Sequence, residues 1–158
     1  MILRFNLIAP GEDSPEILKM CHAIRDKVFI EEQEVPREVE RDDNDSTSGH
    51  LLLSRGSEGV GTLRIRLTEQ GIKLERIAVM ARERGKKFGQ LLIKEGIKRS
   101  RELYPTEPIY ILSQVQAAPF YASLGFVESG DEYIEEGNRL HVTMTLSPEA
   151  EAKIFTLK

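Results

Sequence analysis

The chain has 158 residues, 40% of them hydrophobic and 30% charged, and a formal net charge of −4. That length suits one domain around one core, and the acidic balance speaks against a molecule that coats nucleic acid or an anionic membrane. The single cysteine, Cys21, cannot form an internal disulfide; with no apolar run near the roughly 18 residues of a membrane span and no secretion-signal pattern, the expected compartment is the cytoplasm.

Residues 2–8 alternate Leu3, Phe5 and Leu7 with Arg4 and Asn6, the period of a half-buried strand. Pro10-Gly11 ends it. Ser14-Pro15 then opens a helix, with a capping serine and a proline at the first helical position. Ile17, Met20, Cys21, Ile24 and Val28 extend an apolar stripe to about residue 29, and Pro36 closes this segment or a short second helix behind it. Residues 38–49 are acidic and aperiodic, and read as a loop. Glu38, Glu40, Asp42, Asp43 and Asp45 in it either face water or attract a cationic amine. His50 begins a short apolar strand, residues 56–59 turn, and residues 60–67 return as the second arm of a hairpin. After a turn at residues 69–71, residues 72–80 form the next strand. A helix over about residues 87–103 presents Phe88, Leu91, Leu92, Ile93 and Ile97 on one broad face, and Pro105 stops it. Residues 109–112 are a buried strand, and residues 117–124 a short helix ended by Gly125. Phe126 starts another strand, with a candidate extended piece at Tyr133-Ile134, and residues 140–146 alternate as the last strand. Residues 149–158 make either a short helix or an arm.

Consecutive strands joined by short turns must be antiparallel neighbours. The strand–helix–strand unit through residues 72–112 predicts a right-handed parallel crossover. The expected class is therefore α/β: a mixed sheet with helices on both faces.

The turn Arg84-Gly85-Lys86-Lys87-Phe88-Gly89-Gln90 links a strand to the first turn of a helix. A helix start carries unpaired N–H groups and partial positive charge, which suits the phosphates of a small anionic ligand. The alternative is a solvated helix start. The Gly-Lys-Ser/Thr of a nucleotide-hydrolase loop is absent.

Together, Arg76-Ile77-Ala78-Val79, this turn, Gln114, Ala117, Pro119-Phe120-Tyr121 and Leu124-Gly125-Phe126 resemble the Gcn5-related N-acetyltransferases. More narrowly, Arg25-Asp26-Lys27-Val28-Phe29, Glu32-Gln33, Val35-Pro36, the acidic stretch, His50 and residues 137–141 before Val142-Thr143-Met144 look like the ElaA/YjcF-type branch. The resemblance covers about residues 2–146. It implies a mostly antiparallel twisted sheet of about six or seven strands with a V-shaped splay between two parallel central strands. Residues 1–147 would form a single acetyltransferase domain and residues 148–158 a tail.

The resemblance also implies acetyl-CoA as co-substrate and direct attack by an amine in a ternary complex; the three histidines are scattered without ligand spacing to cysteine or carboxylates, so no metal is expected. Ile77, Ala78 and Val79 would pair with the pantetheine arm as with an added strand. Arg84, Gly85, Lys86, Lys87, Phe88, Gly89 and Gln90 would wrap the diphosphate. Lys87 stands where the family usually has an inner glycine, so either its side chain points away or the backbone avoids positive φ. Tyr121 would protonate the leaving sulfur, or else pack as an aromatic. Gln114 would bond the cofactor or order a water, or cap the helix that follows. Glu75 is a candidate base, or a carboxylate paired with Arg64 or Arg66 on the neighbouring strand; His50 and His141 are the alternative bases. Cys21 has no role beyond packing. The acceptor would be an amine of a small molecule or peptide, and a homodimer is open. Two other readings remain at this point: a synthase using a longer acyl-CoA, and a non-catalytic acyl-CoA sensor or interaction module.

Overall fold

The computed structural model describes residues 2–135 and 139–156. Its strands are β1 (Leu3–Ile8), β2 (Gly49–Arg55), β3 (Glu58–Thr68), β4 (Gly71–Val79), β5 (Ile109–Gln114), β6 (Phe126–Glu128), β7 (Tyr133–Glu135) and β8 (Arg139–Leu146). They form one eight-stranded sheet in the order β1-β2-β3-β4-β5-β8-β6, with β7 also on β8. Every pairing is antiparallel except β4 with β5. The mixed, mostly antiparallel sheet is the expected one; the candidate piece at Tyr133-Ile134 is β7 and brings the count to eight. Of the stretch 137–141, residues 137 and 138 lie outside the described residues, as do the last two residues of the tail.

Helices cover both faces. α1 (Pro15–Arg25) lays Cys21, Ile24 and, just beyond it, Val28 on Leu52 and Ala78 to make a small core. α3 (Phe88–Leu103) buries Leu92, Ile93 and Ile97 against Leu51, Leu63, Ile65 and Leu74 on the other face. Each of those α3 side chains is worth roughly 1.5–3 kcal/mol by burial. The larger core continues under α4 (Ala118–Ser123) and α5 (Pro148–Thr156), which contribute Ala118 and Ile154. The segment after Pro148 is thus a helix. No helix among the described residues is long and apolar enough to cross a membrane.

Three local features differ from expectation. Ser14 sits at the α1 N-cap but makes no side-chain cap hydrogen bond. α1 then passes without a break into a seven-residue π-helical run, Asp26–Glu32, closed by Gln33 N–H on the Val28 carbonyl (3.2 Å). The periodicity of residues 17–28 resembles that of an α-helix, and nothing in it marks the wider turn. The acidic stretch is not a plain loop either. It contains α2 (Arg37–Glu40) and a 3-10 turn, Asp45–Thr47; Glu40, Asp42 and Asp45 turn inward to arginines, while Glu38 and Asp43 face water.

Candidate functional site

β4 and β5 pair only where Ile72 meets Ile109 and Lys73 meets Tyr110. Past Lys73 the two strands part, so β4 offers the rest of that edge to something other than β5. This is the expected splay. It opens a cavity of about 620 Å³ walled by Glu75 and Ile77 of β4, Gln114 of β5, Tyr121 of α4 and His141 of β8. A second cavity of about 350 Å³ lies at the start of α3, walled by Val79, Arg84, Gly85, Lys87, Gly89 and Gln90. Phe88 and Phe120 also line it, and Phe120 neighbours Tyr121 on α4, so that one short helix borders both cavities.

The candidate phosphate turn is built around two left-handed residues. Gly85 has φ +83°, which glycine adopts at no steric cost. Lys87, at the α3 N-cap, has φ 66° and ψ 21°; it takes up the conformation of the glycine it replaces instead of avoiding it. Arg84 donates from Nε to the Val79 carbonyl (3.1 Å) and from both terminal nitrogens to the Glu32 carboxylate (2.8 and 3.0 Å). Lys86 turns back to Glu83 (3.1 Å) and leaves the cavity wall to its neighbours. Ala78 is buried toward α1, while Ile77 and Val79 each border a cavity.

Tyr121 is wedged edge-on between Phe120 (centroids 5.3 Å apart) and Phe126 (6.2 Å). Burial pushes its phenol pKa above the ordinary value, so it holds its proton at neutral pH. Gln114 accepts from the Gln116 amide (2.9 Å) and makes no side-chain cap to the 3-10 turn that follows it. It faces His141 across the β5–β8 ladder.

Glu75 is ion-paired, the second of its two sequence readings. It accepts from Arg64 Nε (2.8 Å) and Arg66 Nε (2.7 Å) and lies 3.1 Å from Lys73 Nζ. Burial by itself would push this carboxyl up; the Arg66 hydrogen bond and the charges of Arg64 and Lys73 outweigh it and hold the pKa at about 2. A carboxylate so placed accepts protons poorly near neutral pH. His50 is buried away from the cavity, bonded through Nε2 to the Asp45 carbonyl (2.8 Å), and burial lowers its pKa. His141 donates from Nδ1 to the Arg139 carbonyl (2.8 Å), which leaves the basic lone pair on Nε2.

Beneath the splay lies a charge network with no counterpart in the sequence reading. Fully buried Arg25 holds Glu40 (2.7 Å) and Asp45 (2.9 Å); Arg64, 0% exposed, holds Asp42 and Asp45 (2.7 and 3.0 Å). Buried charges persist only where paired and hydrogen-bonded, and here α1, α2, β3 and the segment 42–45 supply the partners. One sequence signal exists: Arg25 lies one turn after Cys21 and one before Val28, on the apolar stripe of its helix.

The family model for an acetyltransferase (GNAT) domain matches residues 13–148. The uncharacterized N-acetyltransferase YjcF of Bacillus subtilis is 32% identical over 132 residues, covering 83% of this chain and 91% of the relative. ElaA of Escherichia coli is 29% identical over 118 residues, 72% of this chain and 77% of its own. The crystal structure of Escherichia coli ElaA superposes with a TM-score of 0.82 at 26% identity, covering 92% of this chain and 100% of that one. An acyl-CoA N-acyltransferase from Pseudomonas aeruginosa, 22% identical, shares the fold with a TM-score of 0.83 over 92% of this chain and 100% of its own.

Proposed function

The chain belongs to the acetyltransferase (GNAT) domain family, in its ElaA/YjcF-like branch, and on that premise we propose that it moves an acetyl group from acetyl-CoA to an amine of a small molecule or peptide. One observation carries the reading. The open edge of β4 runs, through a 3-10 turn at Ala81–Glu83 and the turn at residues 84–87, into the N-terminus of a 16-residue helix. A ligand with an anionic head and an amide-bearing arm suits that continuity. The diphosphate accepts from the first N–H groups of α3, at Phe88, Gly89 and Gln90, beside Arg84, Gly85, Lys86 and Lys87. The pantetheine amides pair along Ile77, Ala78 and Val79 as an added strand.

The thioester then lies in the splay near Tyr121. The Val79 N–H polarises its carbonyl, and Gln114 contacts the acyl end. The acceptor amine forms the N–C bond, the C–S bond breaks, and the sulfur takes its proton from Tyr121, whose raised pKa keeps it in the acid form; the phenolate recovers a proton from the nitrogen as it becomes an amide. His141 Nε2 is the proton acceptor for the ammonium. Glu75, held at about 2 by its cations, serves as their counter-charge. Holding amine and thioester together supplies much of the remaining rate.

The test is calorimetric titration with acetyl-CoA, followed by a thiol-release screen of amines and peptides on native and Tyr121→Phe protein. Saturable binding is expected. In the variant, kcat should fall roughly 10- to 1,000-fold with binding near normal. Folded protein that gives no saturable heat with acetyl-CoA overturns the proposal; an unchanged kcat removes Tyr121 from it.

A further inference from the structure

β4 carries an extra residue. Arg64 faces Glu75, yet Thr62 faces Ala78, so β4 advances three residues while β3 advances two. The bulge is at Arg76, whose φ is 51°, a left-handed value that disfavours any residue with a Cβ; bulges with such a residue usually place glycine there. The strain has a visible counterweight. Arg76 donates from Nε to Glu40 Oε2 (3.1 Å) and from Nη2 to Asp42 Oδ2 (3.1 Å), with further bonds to the carbonyls of Val39 and Glu40 (3.3 Å each).

Neither carboxylate is free to follow a moving arginine. Glu40, 1% exposed, is gripped by Arg25 from α1, and Asp42 by both terminal nitrogens of Arg64 from β3 (2.7 Å each). The bulge is therefore referenced to two helices and a strand. It immediately precedes Ile77, Ala78 and Val79, and sets which of their main-chain groups turn into the splay. A shift of one residue there would reverse the edge they present.

We propose that Arg76 is a positioning residue for the acyl-CoA arm: its hydrogen bonds to Glu40 and Asp42 hold the β4 bulge in the conformation that presents residues 77–79 to pantetheine. This rests on the acyl-CoA reading above. Arg76 spends its guanidinium on Val39, Glu40 and Asp42 and acts through the backbone that follows it. It also ties that backbone to α2, whose Val39 lines the same cavity, so the wall facing the acceptor and the strand facing the cofactor are set by one guanidinium.

Arg76→Gly tests this, because glycine keeps the positive φ at no steric cost and removes only the anchor. Two probes are titrated into native and variant protein: acetyl-CoA, which has diphosphate and arm, and adenosine 5′-diphosphate, which lacks the arm. Loss of one or two main-chain hydrogen bonds predicts acetyl-CoA binding weakened by about ten-fold, with adenosine diphosphate binding essentially unchanged. Arg76→Lys, which keeps the charge but not the forked contact, should show the same selectivity with a smaller loss; it carries the test if the glycine variant does not fold. Equal weakening of both probes, or of neither, overturns the inference. Failure of native protein to bind acetyl-CoA overturns instead the reading beneath it.

Discussion

Lys87 and His141 show how much a single side chain decides here. A left-handed lysine costs about 1–2 kcal/mol relative to the ordinary helical region, and Lys87 adopts φ 66° regardless, because the chain must turn sharply from the loop into α3. A glycine would relieve that strain but would bring no charge to the helix start. His141 is decided by its hydrogen bond. Its Nδ1–H is committed to the Arg139 carbonyl, and the residue lines the cavity that Tyr121 also lines. His141→Gln should lower kcat/KM at neutral pH by about 100-fold, and the deficit should shrink as pH rises and the acceptor amine loses its proton unaided. A pH–rate profile parallel to that of the native protein would take His141 out of the proton path.

At the scale of elements, the π-helical run Asp26–Glu32 brings α1 across to the phosphate turn. Its last residue, Glu32, forms the two-pronged pair with Arg84, both partners well exposed. Arg84 is thus committed to Glu32 and to the Val79 carbonyl, and a diphosphate must compete for it. Exposed pairs are worth up to about 1 kcal/mol. Glu32→Gln should therefore tighten acetyl-CoA binding by roughly two- to five-fold, read by calorimetry. Weaker binding would mean instead that Glu32 organises the turn for its ligand.

Across the whole molecule the sheet separates two cores of unequal size, and α5 joins the larger one. Ile154 is buried in it, and Arg101 of α3 grips Glu151 through two bonds (2.6 and 2.9 Å). α5 therefore braces the helix whose N-terminus forms the proposed phosphate site. Ile154→Ala should cost about 2 kcal/mol and lower Tm by roughly 4–8 °C. A melting curve coincident with that of native protein would mean that α5 is held by its ion pair alone.

Most of the architecture was legible from residues 2–146 because it rests on local signals: period-two alternation in β1, β3 and β8, the apolar stripe of α3, and glycine and proline at the turns. The turn at residues 84–90 and the Phe120-Tyr121 pair stood out as motifs, and the splay between β4 and β5 came only from the family resemblance they carry. What stayed hidden depends on partners distant in the chain. Arg64 alternates with Leu63 and Ile65 as a solvent-facing residue would, yet α1 and the 38–47 segment cover that face and bury it completely. Glu75 has the same sequence context whether it is a base or an ion-pair partner; three cations from β3 and β4 make it the latter. The bulge at Arg76 and the π-helical run after α1 leave no trace in periodicity. Backbone hydrogen bonding and hydrophobic pattern are short-range and are written in the residues themselves, whereas the charge state and orientation of a buried polar group are set by whichever opposite charges the fold delivers to it.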